Sequence, residues 1–409
     1  MKKIALVGLK YDTNLGDPII YESTKFLVEK ALKEKGINEY EIIPLDMTGR
    51  IGFNSYANYP TNKIVSYGKK ILGNTLKISL KLTKKIKRFN HNLQIKKWYL
   101  SNEYNRNLYF YNKQLKNVDM IIFVGGGIIK YKYQSFNFYI ESIIKIAEKN
   151  NIPVIFNSVG VEGYDENDSR CALLKKALNK NCVKLITTRD DLKTLEMSYL
   201  ENKKIITAQV SDPATWIGDA FNVKKDDNSG VFGLGVIRDK IFRDNDIDIS
   251  EEQLLSLWRD IIDTLDKRNE KWVIFTNGLS YDYEFGIKLM KYLGRENEIE
   301  DKVLDIPKTP EELVKNISKF KGIIASRLHA CIIAYSLEIP AVALVWNNKL
   351  SMFGKSINAS ERFITNENFN ARHIVDTLEE AVRSGYDLEE KLRYKNTSIE
   401  YLRKGIELF

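Results

Sequence analysis

Lys321–Trp346 reads KGIIASRLHACIIAYSLEIPAVALVW, and the fold follows from how this stretch is parsed. An apolar run, Ile323 to Ala325, ends in Ser326-Arg327-Leu328-His329, and an apolar segment of helix length follows. Pro340 then opens a second apolar run, Ala341 to Trp346. Strand, turn, helix and strand, with both strands apolar throughout, is the pattern of a buried parallel sheet. Arg327 and His329 fall where the first strand hands over to the helix, and ligands of open α/β sheets bind at such carboxyl ends. Arginine offers a rigid fork to carboxylate or phosphate, and histidine changes charge near neutrality. Ser326 is placed to cap the helix, so that backbone amides face the same anion. These residues predict an anion site with proton-coupled chemistry, in which the bound anion favours the acid form of His329.

The same alternation extends in both directions. Upstream, strands are expected at Lys2–Leu9, Glu41–Leu45, Asp119–Val124, Val154–Val161, a run ending at Thr188 and Ile205–Val210. Lys224 to Gly230 (KKDDNSG) is the most linker-like stretch. Beyond it strands are expected at Val231–Val236, Lys271–Thr276, Val303–Ile306, Gly322–Ala325 and Ala341–Val345. Repeated strand–helix units imply parallel sheets with right-handed crossovers, and 409 residues exceed one ordinary core. The expected fold is α/β, with two Rossmann-like domains in a GT-B-like pair facing a cleft. The N-terminal domain spans 1–222 and carries a basic insert at 47–102. The C-terminal domain spans 231–385, and a helix at 386–409 packs back across the junction.

The net charge of +9 belongs to the insert. Between Met47 and Asn102 there are twelve Lys or Arg and no Asp or Glu, which leaves 51 basic and 54 acidic residues elsewhere. Ile78, Leu82, Ile86, Phe89 and Leu93 recur there at helical spacing among lysines. A basic amphipathic helix of this kind, over 69–97, suits an anionic membrane surface. No interleaved aromatics or nucleic-acid-reading motif accompany it, so nucleic acid is not an expected partner. Lys10, Tyr11 and Asp12 interrupt the first apolar run before any signal-peptide cleavage site, so it reads as a strand and the expected location is cytoplasmic. Cys171, Cys182 and Cys331 lack metal-ligand spacing and read as reduced structural thiols, and no metal is expected.

Three further places carry possible chemistry. Arg189 ends an apolar strand before Asp190 and Asp191, where it is either a second anion clamp or an ion-pair partner of Asp190. Gly125-Gly126-Gly127 follows a buried strand, where glycines allow a backbone to approach a ligand. Asn14-Leu15-Gly16-Asp17 follows the first strand, with Pro18 suited to the first helical position and Asp17 to its cap. None matches a Walker A or GxGxxG fingerprint. His91 and His373 read as structural.

With Asn14-Leu15-Gly16-Asp17, Gly125-Gly126-Gly127, Arg189-Asp190, Asp212-Pro213-Ala214 and Ser326-Arg327-Leu328-His329 in this order, the chain resembles the polysaccharide pyruvyl transferases. Lys193, where the family often has serine, Ile128-Ile129-Lys130-Tyr131 after the glycines, and the basic insert depart from its pattern. The resemblance implies transfer of the enolpyruvyl group of phosphoenolpyruvate to two hydroxyls of a sugar, forming a cyclic ketal and releasing phosphate. It implies no cofactor beyond that donor. Arg189, Arg327 and His329 would be catalytic, with His329 the acid. Ser326, Leu328, Gly125, Gly126, Gly127, Asn14, Gly16 and Asp17 would bind substrate. The C-terminal domain would take the donor and the N-terminal domain a saccharide acceptor, lipid-linked and of capsule or cell-wall type, at the inner leaflet. The competing expectation is a GT-B glycosyltransferase that uses a nucleotide sugar.

Overall fold

The computed structural model describes residues 1–53, 55–56, 84–130 and 136–408, with 84–89 described by backbone alone. Its first half contains β1 (Lys2–Gly8), β2 (Tyr40–Asp46), β3 (Arg50–Gly52), β4 (Ser55–Tyr56), β5 (Met120–Lys130), β6 (Val154–Glu162), β7 (Val183–Thr188) and β8 (Ile206–Gln209). The second contains β9 (Val231–Gly235), β10 (Lys271–Phe275), β11 (Gly322–Ala325), β12 (Ala341–Val345) and β13 (Phe363–Thr365). They form a six-stranded sheet ordered β2-β1-β5-β6-β7-β8, a five-stranded sheet ordered β10-β9-β11-β12-β13 and a small hairpin, β3-β4. Both larger sheets are parallel throughout. This is the expected α/β architecture of two Rossmann-like halves.

Apolar cores lie on both faces of each sheet, as strands apolar along their whole length require. The cluster that joins the halves contains Leu15, which precedes the first helix (Gly16–Glu34), and Ile19 and Ile20 within it, together with Ile323, Ala325 and Ala330 to Ile333. The first helix thus packs simultaneously on its own sheet and on the helix that follows β11. The C-terminal helix, Leu388–Ile406, returns as expected. It buries Ile399, Leu402 and Ile406 with Ile4, Leu6 and Ile155 of the first sheet. Lys395 O accepts from Trp216 Nε1 at 2.9 Å, while Lys391 Nζ donates to Ser336 O at 3.0 Å in the second half. One helix therefore straps both halves.

Three expectations change. The strand expected at Val303–Ile306 shrinks to one bridge from Val303 to Ile274, since Pro307 ends the run. β13 has only three residues, too few to show a period, and was not foreseen. The glycine triplet is not a loop beyond its strand: β5 continues through it to Lys130, with a register shift after Gly126, whose φ is +98°. Of the basic insert, Ile78 and Leu82 lie outside the described residues, as do the side chains of Ile86 and Phe89. The helix Lys84–Tyr99 is present, Leu93 is exposed, and Trp98 is buried against Phe138 with ring centroids 5.0 Å apart. Among the described residues no helix is long and apolar enough to cross a membrane.

Candidate active site

The C-terminal wall begins where β11 ends. Ser326 N still donates to Gly235 O of the neighbouring strand at 3.2 Å, so Ser326 belongs to the sheet edge and does not cap the helix. Its hydroxyl is buried without a partner. Arg327 occupies the cap position of helix Leu328–Ser336 in an extended conformation, and its side chain makes no cap bond. The guanidinium turns instead to Asp282, with Nε and Nη2 at 3.0 and 2.6 Å from Oδ2. Asp282 is fully buried in the first turn of helix Ser280–Tyr292. Arg327 is therefore a charge-balanced pair and not the open fork that its position in the sequence implies.

Arg189 arrives from the other half, one residue beyond β7. Its guanidinium pairs with Asp212 and not with Asp190. Asp190 is engaged by Val161 N at 2.8 Å, Thr188 Oγ1 at 2.9 Å and Asp191 N at 2.8 Å. Asp212 in turn caps the turn Pro213–Trp216 through Ala214 N, 2.9 Å from Oδ1. Arg189 Nη1 lies 3.4 Å from His329 Nε2, and Asp212 Oδ2 lies 3.9 Å from the same nitrogen. Arginine can only donate, so Nε2 accepts and the neutral ring carries its proton on Nδ1. Burial drives the His329 pKa down to about 4; Asp212 opposes this, and Arg189, Lys349 and Arg327 reinforce it. The imidazole is thus neutral at pH 7, and the expected acid form requires a neighbouring anion that raises its pKa again.

Gly16 explains how the first helix reaches this ring. A Cβ there would overlap His329 Nδ1 and Cγ, so only glycine lets the helix N-terminus touch the imidazole. That helix starts at Gly16, ahead of Pro18, with Leu15 at the cap position and no side-chain cap bond. Asp17 consequently sits inside the first turn, not at the cap. Burial, then Asp12, raise its pKa to about 6 against the pull of Arg189, Lys349 and Lys130. Asn14 shapes the approach through its backbone: its carbonyl accepts from Asp17 N at 3.2 Å and its amide donates to Asp12 Oδ1 at 2.9 Å. Leu15 N donates to Asn277 O at 3.1 Å, tying the loop to the second half.

The glycine triplet serves the same closure. A Cβ on Gly125 would press on Ile20 and on Ser158 O, and one on Gly126 would come 3.1 Å from Asp17 Oδ1. One on Gly127 would take the space of the Glu162 carboxylate and lie 3.0 Å from Lys349 Nζ. Glu162 binds Lys130 at 3.3 Å and Lys349 at 2.6 Å, joining the ends of β5 and β6 to the segment after β12. Burial pushes the Glu162 pKa up, but Lys349 and Lys130 outweigh it and hold the carboxyl below its usual range. Lys130 and Lys349 share the Glu162 carboxylate, and both also act on Asp17.

The structure therefore brings Arg189, His329, Asp17 and Gly16 together. Arg327 is close enough to act on His329 electrostatically but is held by Asp282, Leu328 turns toward a neighbouring cavity, and Ser326 stays in the sheet. Sequence reasoning did not assign site roles to Asp212, Asp282, Glu162, Lys130 or Lys349. Lys349 and Lys130 carried a usable signal, as each follows or ends an apolar strand. Asp282 carried none, because it reads as an ordinary acidic residue in a helix's first turn. Among the described residues no group of three His, Cys, Asp or Glu is placed to hold a metal ion.

Solved structures with this architecture include UDP-GlcNAc 2-epimerases. That from Methanocaldococcus jannaschii matches with a TM-score of 0.53 at 14% identity, over 98% of this chain and 99% of its own. That from Neisseria meningitidis, bound to UDP-GlcNAc, matches with a TM-score of 0.53 at 12% identity over the whole of both chains. At such identities the likeness shows the GT-B-type fold alone. No curated protein matches the chain by sequence. The family model for polysaccharide pyruvyl transferase, in contrast, matches residues 14–348, from the loop that leads to Gly16 through to the residue before Lys349. The chain belongs to the polysaccharide pyruvyl transferase family and is a transferase enzyme.

Proposed function

We propose that the donor is phosphoenolpyruvate, that the acceptor is a lipid-linked saccharide of a capsule or cell wall, and that the product is a cyclic pyruvate ketal. The observation that carries this reading is the convergence of Arg189, Asp212 and His329 from two halves of the chain, with Nη1 to Nε2 at 3.4 Å. A buried neutral imidazole among cationic groups gains a proton when a multiply charged anion enters. Arg189, Lys130 and Lys349 all act on the same cleft and supply the cationic groups that an anionic donor would meet.

His329, protonated as the donor binds, transfers its proton to C3, and the C2=C3 electron pair forms the new C–H bond. C2 becomes electrophilic, and one sugar hydroxyl forms a C–O bond there as its proton passes to Asp17. The second hydroxyl then displaces phosphate, which takes away that hydroxyl's proton. Asp17 suits the base role because it is deprotonated above about pH 6 yet more basic than an ordinary aspartate. The N-terminal half, 1–222, would hold the acceptor and 231–385 the donor. The basic segment 69–97 would hold the enzyme at an anionic inner leaflet.

Phosphate release from phosphoenolpyruvate across a panel of pyranosides, with mass analysis for added pyruvate, tests this reading. Phosphate release without pyruvylated sugar sinks it. Thermal protection by a nucleotide sugar but not by phosphoenolpyruvate returns the competing glycosyltransferase reading. Replacing Lys81, Lys84, Lys85 and Lys87 by Gln should weaken liposome binding and spare activity on a soluble acceptor.

A further inference from the structure

A cavity of about 170 Å³, open at its mouth and separate from the one that Leu328 lines, lies just beyond the C-terminal end of helix Asn348–Ser356. Tyr335 and Ile357 belong to its apolar lining, and Asn358, Arg362, Asp387 and Glu390 to its polar one. One water needs about 10–15 Å³, so the space admits roughly ten water-sized groups, the bulk of a sugar ring with its hydroxyls. Arg362 is only 8% exposed. Its Nη2 donates to Gly385 O at 2.7 Å and to Ser384 Oγ at 3.2 Å, but Nη1 is buried without a partner. Nε lies 3.4 Å from Glu361, whose carboxylate stands largely in solvent. Holding the Ser384–Gly385 turn thus uses part of this guanidinium, and a buried donor left over costs stability until an acceptor takes it up.

The same cavity carries acceptors. Asp387 Oδ1 accepts from Glu389 N and Glu390 N at 2.9 and 3.0 Å, and the Glu390 carboxylate accepts from Arg393 at 2.6 and 3.0 Å and from Asn358 Nδ2 at 3.3 Å. A carboxylate has further lone pairs to offer beyond such bonds. The two carboxylates oppose an anionic ligand and the guanidinium opposes a cationic one, so the match is a neutral ligand that both donates and accepts. We propose that this cavity is a second saccharide site, which takes a neutral sugar unit of the acceptor at a distance from the reacting one. It rests on the saccharide acceptor and is independent of the donor. The position suits the role. Helix Asn348–Ser356 carries Lys349 at the cleft and hands over to Ile357 here, about 12 Å further along at 1.5 Å per residue. Tyr335 packs against Phe353 and Tyr394, with ring centroids 5.8 and 6.3 Å away, and both of those rings line the cavity beside Arg189 and Asp212. One layer of aromatic rings therefore separates the proposed site from the cleft.

The test reads binding of methyl pyranosides, with inorganic phosphate and glycine as anionic and zwitterionic controls, by saturation-transfer and line-broadening NMR on the full chain. It also reads kcat/KM for a monosaccharide acceptor and for an oligosaccharide that ends in the same unit. Arg362→Lys is the direct variant. Because Arg362 also holds a turn, Asn358→Gly with Glu390→Ala keeps the test open: both positions reach solvent, and Asn358 has a φ of +52° that glycine adopts freely. At least one pyranoside should bind the wild type, and the double variant should lose most of that signal. Its kcat/KM for the oligosaccharide should fall by about tenfold or more, as expected when one of two linked sites is lost, while the monosaccharide is used as before. An unchanged pyranoside signal in the double variant overturns the assignment, and so does a cavity that takes phosphate or glycine but no pyranoside. If phosphoenolpyruvate supports no turnover with either acceptor, the donor reading fails separately, and the binding measurements still decide this one.

Discussion

Arg189 and Arg327 look interchangeable in the sequence, each at the carboxyl end of an apolar strand, and each meets a buried aspartate in the fold. Their consequences differ. The Arg189–Asp212 pair touches His329 and so couples the two halves of the molecule, whereas the Arg327–Asp282 pair lies wholly within the second half. In the proposed mechanism the first pair is part of the reacting constellation. The second is a charge balance that positions the strand-to-helix junction from which His329 projects. An arginine at a strand's end does not by itself define an anion fork; its nearest carboxylate decides how much of its charge remains for a ligand.

The comparison breaks most directly at the histidine. His329→Ala should lower kcat by about 10²–10⁴-fold while phosphoenolpyruvate still protects against thermal unfolding. Wild-type turnover would remove the acid role. Next comes the second pair. Asp282→Ala leaves Arg327 buried without its partner and should cost about 3–5 kcal/mol in urea unfolding. A loss below about 1 kcal/mol would show that Arg327 is free to serve a ligand. Gly16→Ala should displace the imidazole and cut turnover by about 10²-fold, a typical cost of misplacing a catalytic group by about 1 Å. An unaltered kcat would show that the ring yields at no cost.

The smallest effect is in pH dependence. Asp17 has its pKa raised from 3.8 to about 6, so between those values the native state keeps a proton that the unfolded chain has lost, and stability falls as pH rises. His329 has its pKa lowered from 6.5 to about 4, so over that range the unfolded chain takes up a proton that the native state refuses, and stability rises with pH. The two slopes oppose each other. In Asp17→Asn only the His329 slope remains, so Tm should climb more steeply from pH 4 to 6.5 than in the wild type. Parallel curves would remove one of the two shifts.

Legibility followed locality. Leu328 to Ser336 and its flanking strands were readable because apolar runs and a strand-to-helix switch are contiguous signals, and β11 and β12 have the bounds expected from the sequence. Ser326 was misread by one residue, because its amide donates to Gly235 O on another strand and so keeps it in the sheet. The glycine triplet was recognised as a place of close approach, but what approaches was invisible: Ile20 and Asp17, Glu162 and Lys349 come from three separate segments.

The sequence by itself determined the two parallel sheets, the strand-end positions of Arg189, Arg327 and His329, and the family to which they belong. Periodicity and strand–turn–helix order are local properties, written in consecutive residues. Only the tertiary structure decided which aspartate neutralises which arginine, that burial keeps His329 neutral, and that Gly16 makes room for its ring. Those outcomes depend on through-space distances and burial across segments far apart in the chain, and no local pattern encodes them.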